Sequence, residues 1–140
     1  MSAISPFQFT APLLTESHFV VHREKRDKDV VNIHLHRNII KSDSNPLQAL
    51  VEVKLQLNKI EDKEIEDPCF VAEVTMQSAF SWPEDLPEQQ VKNLLEINAP
   101  ALLISYIRPI IVQLTAASPM PVYNLPFLNL NDLLGEQGTK

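Results

Sequence analysis

Glycine is almost missing from this chain: two in 140 residues, Gly135 and Gly138, both near the C-terminus. Phosphate-cradling loops and nucleophile elbows need glycine where the backbone turns sharply or approaches a ligand, so the sequence offers neither. Cysteine is scarcer still. The lone Cys69 cannot form an internal disulfide, which fits a reducing compartment, and it is expected in a strand as a small hydrophobe. No apolar run nears membrane-spanning length, so direct insertion into a membrane is not expected. The opening residues, MSAISPFQFTAP, lack the basic-then-apolar order of a signal peptide, and the expected location is the cytoplasm. Positive charge is short as well: 12 Lys and Arg stand against 18 Asp and Glu, a net charge of −6. Nucleic acid binding calls for clustered cations, and the one cluster, His22 to Lys28, reads as a solvated turn.

What the chain does have is alternation. From Leu47 to Asn58, Leu47, Ala49, Val51, Val53, Leu55 and Leu57 fall on one face, with Gln48, Glu52, Lys54 and Gln56 among the residues opposite. A period of two predicts a half-buried strand. Phe70 to Phe80 repeats it, with Phe70, Ala72, Val74 and Met76 inward and Val71, Glu73, Thr75 and Gln77 outward. The acidic IEDKEIEDP between them predicts an antiparallel hairpin. Upstream, Val31, Ile33 and Leu35 alternate with polar neighbours, and Leu14 to His22 is a less regular strand. Four strands with one apolar face predict an open antiparallel sheet that needs a cover. The fold class is therefore α+β in a single domain, 1–140, with strands over about 13–82 and helices over about 87–135.

The cover begins at Pro87. Val91, Leu94, Leu95 and Ile97 start a helical stripe, Pro100 predicts a break or kink, and Pro109 a bend. Beyond Pro100, Tyr106, Ile107, Ile110, Ile111 and Leu114 recur at helical spacing. The apolar surface extends round so much of this helix that it predicts packing on two sides, one against the sheet and one against a second subunit. Next comes an oddity. Pro119, Pro121 and Pro126 forbid regular structure, yet the segment stays apolar through Met120, Val122, Tyr123, Leu125, Phe127 and Leu128. Ordinary connectors are polar; this one must bury its surface against itself, a copy of itself or a client chain.

The tail resembles the SecB family of export chaperones. The residues that carry the resemblance are Pro100, Tyr106, Arg108, Pro121, Asn124, Leu125, Asn129 and Leu133, in register without a gap, with the strand FVAEV, Phe70 to Val74. TESHF, Thr15 to Phe19, matches the family's first strand, and similarity is weaker before about residue 46. The resemblance implies a four-stranded antiparallel sheet covered on one face by a long kinked helix and a short C-terminal helix, assembled as a homotetramer, a dimer of dimers. It also implies an ATP-independent holdase that keeps unfolded polypeptides or preproteins in apolar grooves for Sec-dependent export. Under it Tyr123, Leu125, Phe127, Leu130, Leu133 and Leu134 line the client groove; the alternative is that they belong to the subunit's own core. Tyr106, Ile107, Ile110, Ile111 and Leu114 become oligomer interface. Glu16, Val71 and Glu73 become the surface offered to the SecA motor, although Val20 replaces a neighbouring family acid, and the sequence stops at Lys140 without the family's longer motor-binding tail.

Two further readings are compatible with the residues: a specialised SecB-like chaperone of a toxin-antitoxin system, and an oligomeric adaptor for one folded partner. His34 and His36 share a strand face, with His18 and His22 on what could be its neighbour, so a metal-dependent hydrolase is the last reading. Solvated histidines are the ordinary alternative, since no Cys or carboxylate frame surrounds them. No enzyme activity, cofactor or metal is expected. The acidic run Glu61 to Asp67 has no glycine and no ligand spacing, and reads as a solvated turn.

Overall fold

The computed structural model describes residues 3–134. The two alternating runs become the central pair of the sheet. Strand β4 (Gln48–Leu57) and strand β7 (Phe70–Ser81) pair antiparallel from Gln48 opposite Ser81 to Leu57 opposite Ala72. Strand β3 (Ile33–Lys41) pairs with the free side of β4, and β2 (Leu13–Val21) with the free side of β7. A two-residue strand, β1 (Gln8–Phe9), continues the β2 edge along the end of β7. That edge is interrupted near Pro12, which has no amide to give the ladder, and its register shifts between Leu14 and Glu16. The result is the expected α+β architecture, four antiparallel ribs in the order β2, β7, β4, β3.

Within the acidic turn lies a small hairpin, β5 (Lys59–Ile60) and β6 (Lys63–Glu64). Asn58 and Glu61 flank β5 with positive φ, 61° and 54°. Asparagine tolerates that region because its side chain bonds locally, and here Asn58 donates to the Phe70 carbonyl (2.9 Å) while accepting from the Asn32 amide (2.9 Å). The link from β2 to β3, residues 22–32, crosses from one edge of the sheet to the other and contains no strand or helix.

On the inner face Leu35, Ile39, Val51, Val53, Leu55, Leu57, Phe70, Val74 and Met76 are buried beneath the helical layer. Each such side chain contributes roughly 1.5–3 kcal/mol on burial. The outer face of β7 departs from the expected half-exposed pattern. Val71, Glu73 and Thr75 are also buried, because β7 has a neighbour on both sides and the long side chains of β2 and β4 fold over it. Glu73 carries this cover: its carboxylate accepts from Lys59 (3.0 Å) and Gln56 (3.2 Å) and pairs with Lys54 (3.3 Å).

The helical layer is one continuous run: α1 (Glu88–Asn93), a π turn (Leu94–Asn98) and α2 (Ala99–Ala116). The sequence predicts a break or kink at Pro100; there is no break, and the helical run continues through it with an irregular π turn just before. Pro100 has no N–H for the carbonyl of Glu96, and the wider π turn with its longer hydrogen-bond step accommodates the loss. Arg37, buried on the inner face of β3, donates to that Glu96 carbonyl (2.6 Å) and to the carbonyl of Leu134 (3.3 Å). Burial holds the Arg37 guanidinium below its ordinary range, with the Glu96 charge opposing the shift. Continuity also changes the membrane argument: the run Glu88–Ala116, 29 residues, is long and apolar enough to cross a bilayer. Its Val91, Leu95, Leu103, Ile107 and Ile111 are buried in the core with the sheet, as in a core helix. After α2, residues 117–129 form no regular structure, and α3 (Leu130–Leu134) closes the described chain. The expected helix end at about 135 and the glycines and Lys140 beyond it lie outside the described residues.

Candidate functional site

The apolar connector is irregular but not loose. At its start Thr115, buried in the last turn of α2, donates its hydroxyl to the Ile111 carbonyl (2.9 Å) and accepts the amide of Tyr123 (3.0 Å). Eight residues of chain are thereby folded back onto the helix that precedes them. Further along, the Arg108 guanidinium donates to the carbonyls of Leu125 and Pro126, the latter at 3.0 Å. These side chains replace the backbone ladder that the prolines prevent.

Between the anchors the Tyr123 ring meets Phe70 (centroids 6.4 Å), which in turn meets Phe19 (5.7 Å). Burial pushes the Tyr123 phenol above its ordinary pKa. A cleft of about 270 Å³ opens here. Met120, Pro121, Val122 and Tyr123 of the connector form one wall, Lys25 and Lys28 to Val31 of the crossing link another, and Asn58 with Ile65 to Phe70 the rest. The lining mixes apolar side chains such as Val30, Val31, Phe70 and Met120 with the charged Lys25, Lys28, Asp29, Glu66 and Asp67.

The predicted groove residues divide in three. Leu125 and Leu134 are buried in the subunit's own core, so the core alternative holds for them. Tyr123, Leu130 and Leu133 are half-buried at its edge. Phe127 is fully exposed (102%) just past the Arg108 anchor. Of these six only Tyr123 lines the cleft. The crossing link's contribution, Val30 and Val31 above all, was not legible as a wall: its local charge looks like a solvated turn, and nothing nearby in sequence announces its approach to residue 122.

The predicted interface residues divide in the same way. Tyr106 is exposed and Ile110 and Leu114 are partly so, while Ile107 and Ile111 face inward at 0% and 1% exposure and cannot also meet a second subunit. On the outer sheet face, Glu16 accepts from Thr75 (3.2 Å) and lies 3.6 Å from Lys54. Val71 is covered, and Glu73 is 6% exposed with its charge satisfied. Burial alone would raise the Glu73 carboxyl, but the hydrogen bonds and charges of Lys59 and Lys54 outweigh it and hold the carboxyl below its ordinary range. The two acids of the diminished patch expected there are thus paired with lysines, Glu16 with Lys54 and Glu73 with Lys54 and Lys59. The histidines do not converge: β2, with His18, and β3, with His34 and His36, lie at opposite edges, separated by β7 and β4. His22 pairs instead with Glu64 (3.1 Å).

Comparison with known proteins follows the same lines. The family model for SecB, preprotein translocase subunit SecB, matches residues 16–140. The protein-export protein SecB of Anaplasma phagocytophilum is 35% identical over 91 residues, 64% of this chain and 57% of that protein. Its counterpart in Anaplasma marginale is 34% identical over 88 residues, 63% and 50% of the two. The chain therefore spans about half the length of these curated relatives. Among solved structures, the SecB-like chaperone of Mycobacterium tuberculosis, in complex with a ChAD peptide from an antitoxin, superposes with a TM-score of 0.70 at 16% identity, covering 89% of this chain and 91% of that one. That likeness establishes the shared fold of antiparallel sheet, long helix and short terminal helix. With a family match running through the sheet, the helix and the connector, the chain belongs to the SecB family.

Proposed function

We propose that the protein is a holdase chaperone: it binds unfolded polypeptides through the cleft beside the connector and through the exposed Phe127 of the same connector, without catalysis and without ATP. The observation that carries the reading is an apolar segment kept out of regular structure by three prolines, yet fixed by Thr115 and Arg108 so that part of its apolar surface stays accessible. Burial of a client's apolar side chains at about 25 cal/mol per Å² supplies affinity without requiring a sequence. Export precursors are the client class that the family match favours, in the cytoplasm, with the single domain acting as a homotetramer built on the exposed Tyr106, Ile110 and Leu114. A motor partner of the SecA kind would meet the outer face at Glu16 and its surroundings, through weak, salt-sensitive contacts.

A second reading has its own support in the fold shared with a chaperone bound to an antitoxin peptide: one dedicated client in place of many. The test is competition. Purified protein should delay aggregation of an unfolded substrate, and unrelated unfolded chains should displace one another. Displacement by a single antitoxin only would establish the second reading; a monomer that neither delays aggregation nor binds an apolar dye would sink both.

A further inference from the structure

The crossing link is built round one side chain. Arg23 is only 17% exposed, and all five of its N–H groups are engaged. Nη1 donates to Asp29 Oδ2 (2.9 Å) and to the Glu24 carbonyl (2.8 Å); Nη2 donates to Asp29 Oδ1 (2.7 Å) and to the Asp67 carbonyl (2.8 Å); Nε donates to Asp67 Oδ1 (3.1 Å). Asp29 also accepts the Arg26 amide (2.6 Å), which closes residues 23–29 into a ring. Asp67 sits elsewhere, in the link from β6 to β7, with a left-handed φ of 50°. Its second oxygen accepts from Arg26 (3.0 Å).

These two acids belong to two walls of the cleft. Val30 and Val31 follow Asp29 on one wall, and Phe70 follows Asp67 on the other. Backbone bonds from His22 and Arg23 to the Cys69 carbonyl start the link, the Asp29 amide bonds the Arg26 carbonyl (3.0 Å) within it, and Asn32 pairs with Asn58 at its end; between those anchors the guanidinium ties the link to Asp67. A planar fork matches two carboxylates at once; a lysine is a point charge that serves them less well.

We propose that Arg23 is the positioning residue that pre-forms the client cleft, holding the Val30–Val31 wall opposite Phe70 and Tyr123 before any client arrives. The proposal rests on the reading of this cleft as the client site. Without Arg23 the client itself must order residues 24–31, up to the Asn32–Asn58 pair, on binding, and affinity falls by that cost.

The experiment pairs hydrogen exchange of residues 24–32 with binding of reduced, carboxymethylated lactalbumin, a permanently unfolded chain, in wild type and Arg23→Met. Expected are an unchanged oligomer and helix content, faster exchange confined to the link, and a Kd weakened about fivefold to tenfold by the lost pre-organisation. Saturating client should restore protection in the variant, a linkage that mere local damage does not give. Should Arg23→Met fail to fold, Asp29→Asn cuts the same ring from the acceptor side. Unchanged exchange, or a loosened link with unchanged Kd, overturns the proposal while the functional reading stands. A wild-type protein that binds no lactalbumin overturns the functional reading, and the positioning role falls with it.

Discussion

The sheet and the connector hold their shapes by different means. In the sheet, β7 has a ladder on both sides and apolar burial beneath it, so its conformation is determined many times over. Residues 117–129 have no ladder, and their path is set largely by the Thr115 hydroxyl and the Arg108 guanidinium. Redundancy makes a region stable; dependence on single side chains makes it adjustable. A surface that must receive unlike clients is better placed on the second kind.

The contrast can be broken at several points. Leu103→Ala, in the doubly determined core, should cost about 3 kcal/mol, read as a lower urea midpoint with an unchanged m-value. Arg37→Met should cost about 2 kcal/mol, because it strips a charged donor from the carbonyls of Glu96 and Leu134; the loss should appear as faster amide exchange around the π turn and α3. Thr115→Val should cost only about 1 kcal/mol in global stability, while selectively exposing to exchange the Tyr123 amide that its hydroxyl accepts. If that exchange is unchanged, the Tyr123 amide is held by something other than Thr115. Phe127→Ser should leave stability within about 0.5 kcal/mol yet weaken client binding; dissociation of an intact oligomer instead would move Phe127 from the client surface to a subunit contact.

Acid titration gives the smallest and most local signal. Hydrogen bonds from Arg23, joined at Asp29 by the Arg26 amide, and then the charges of Arg23 and Arg26 hold both Asp29 and Asp67 below the ordinary carboxylate range. Such groups stabilise the folded state above the ordinary carboxylate pKa, and that stabilisation is lost as pH falls through their lowered folded values. The crossing link should therefore keep its wild-type exchange pattern at pH 5 and open only in stronger acid. Loosening already at pH 5, by amide exchange, would mean that the Arg23 contacts are not what holds it.

How much of this could be seen in the sequence depends on the range of the forces involved. The strands were legible because Ala49 to Leu57 and Phe70 to Met76 alternate with only Leu50 and Val71 out of step, and in β3 the same alternation, carried two residues past Leu35, puts Arg37 on the inner face. The helix was legible, its continuity was not. Pro100 signals a break only if no partner is available for the orphaned carbonyl, and that partner comes from a strand 59 residues away. The connector's apolarity was visible, but which of its side chains stay accessible is decided by contacts across the fold. Leu125 goes inward and Phe127 outward with one residue between them, and no local pattern distinguishes them. The charge of His22 to Lys28 misled most, since a hub and a solvated turn have the same composition until Asp67 is brought alongside.

Seven buried positions of the helical run, Val91, Leu95, Ala99, Leu103, Ile107, Ile111 and Thr115, recur every fourth residue, with Pro100 and Ile104 buried beside them. In a uniform α-helix each step of four advances the face by about 40°, and six such steps would carry it about 240° round the axis. The π turn at Leu94–Asn98 absorbs one extra residue and winds the face back by about 100°, which takes up part of that drift. The same step of four recurs one position earlier, in Leu102, Tyr106, Ile110 and Leu114, as a second ridge with partly open surface. Ridges of that spacing interlock with their like at about −50°. The inserted residue thus does more than excuse a proline: it turns the buried face of α1 back toward that of α2.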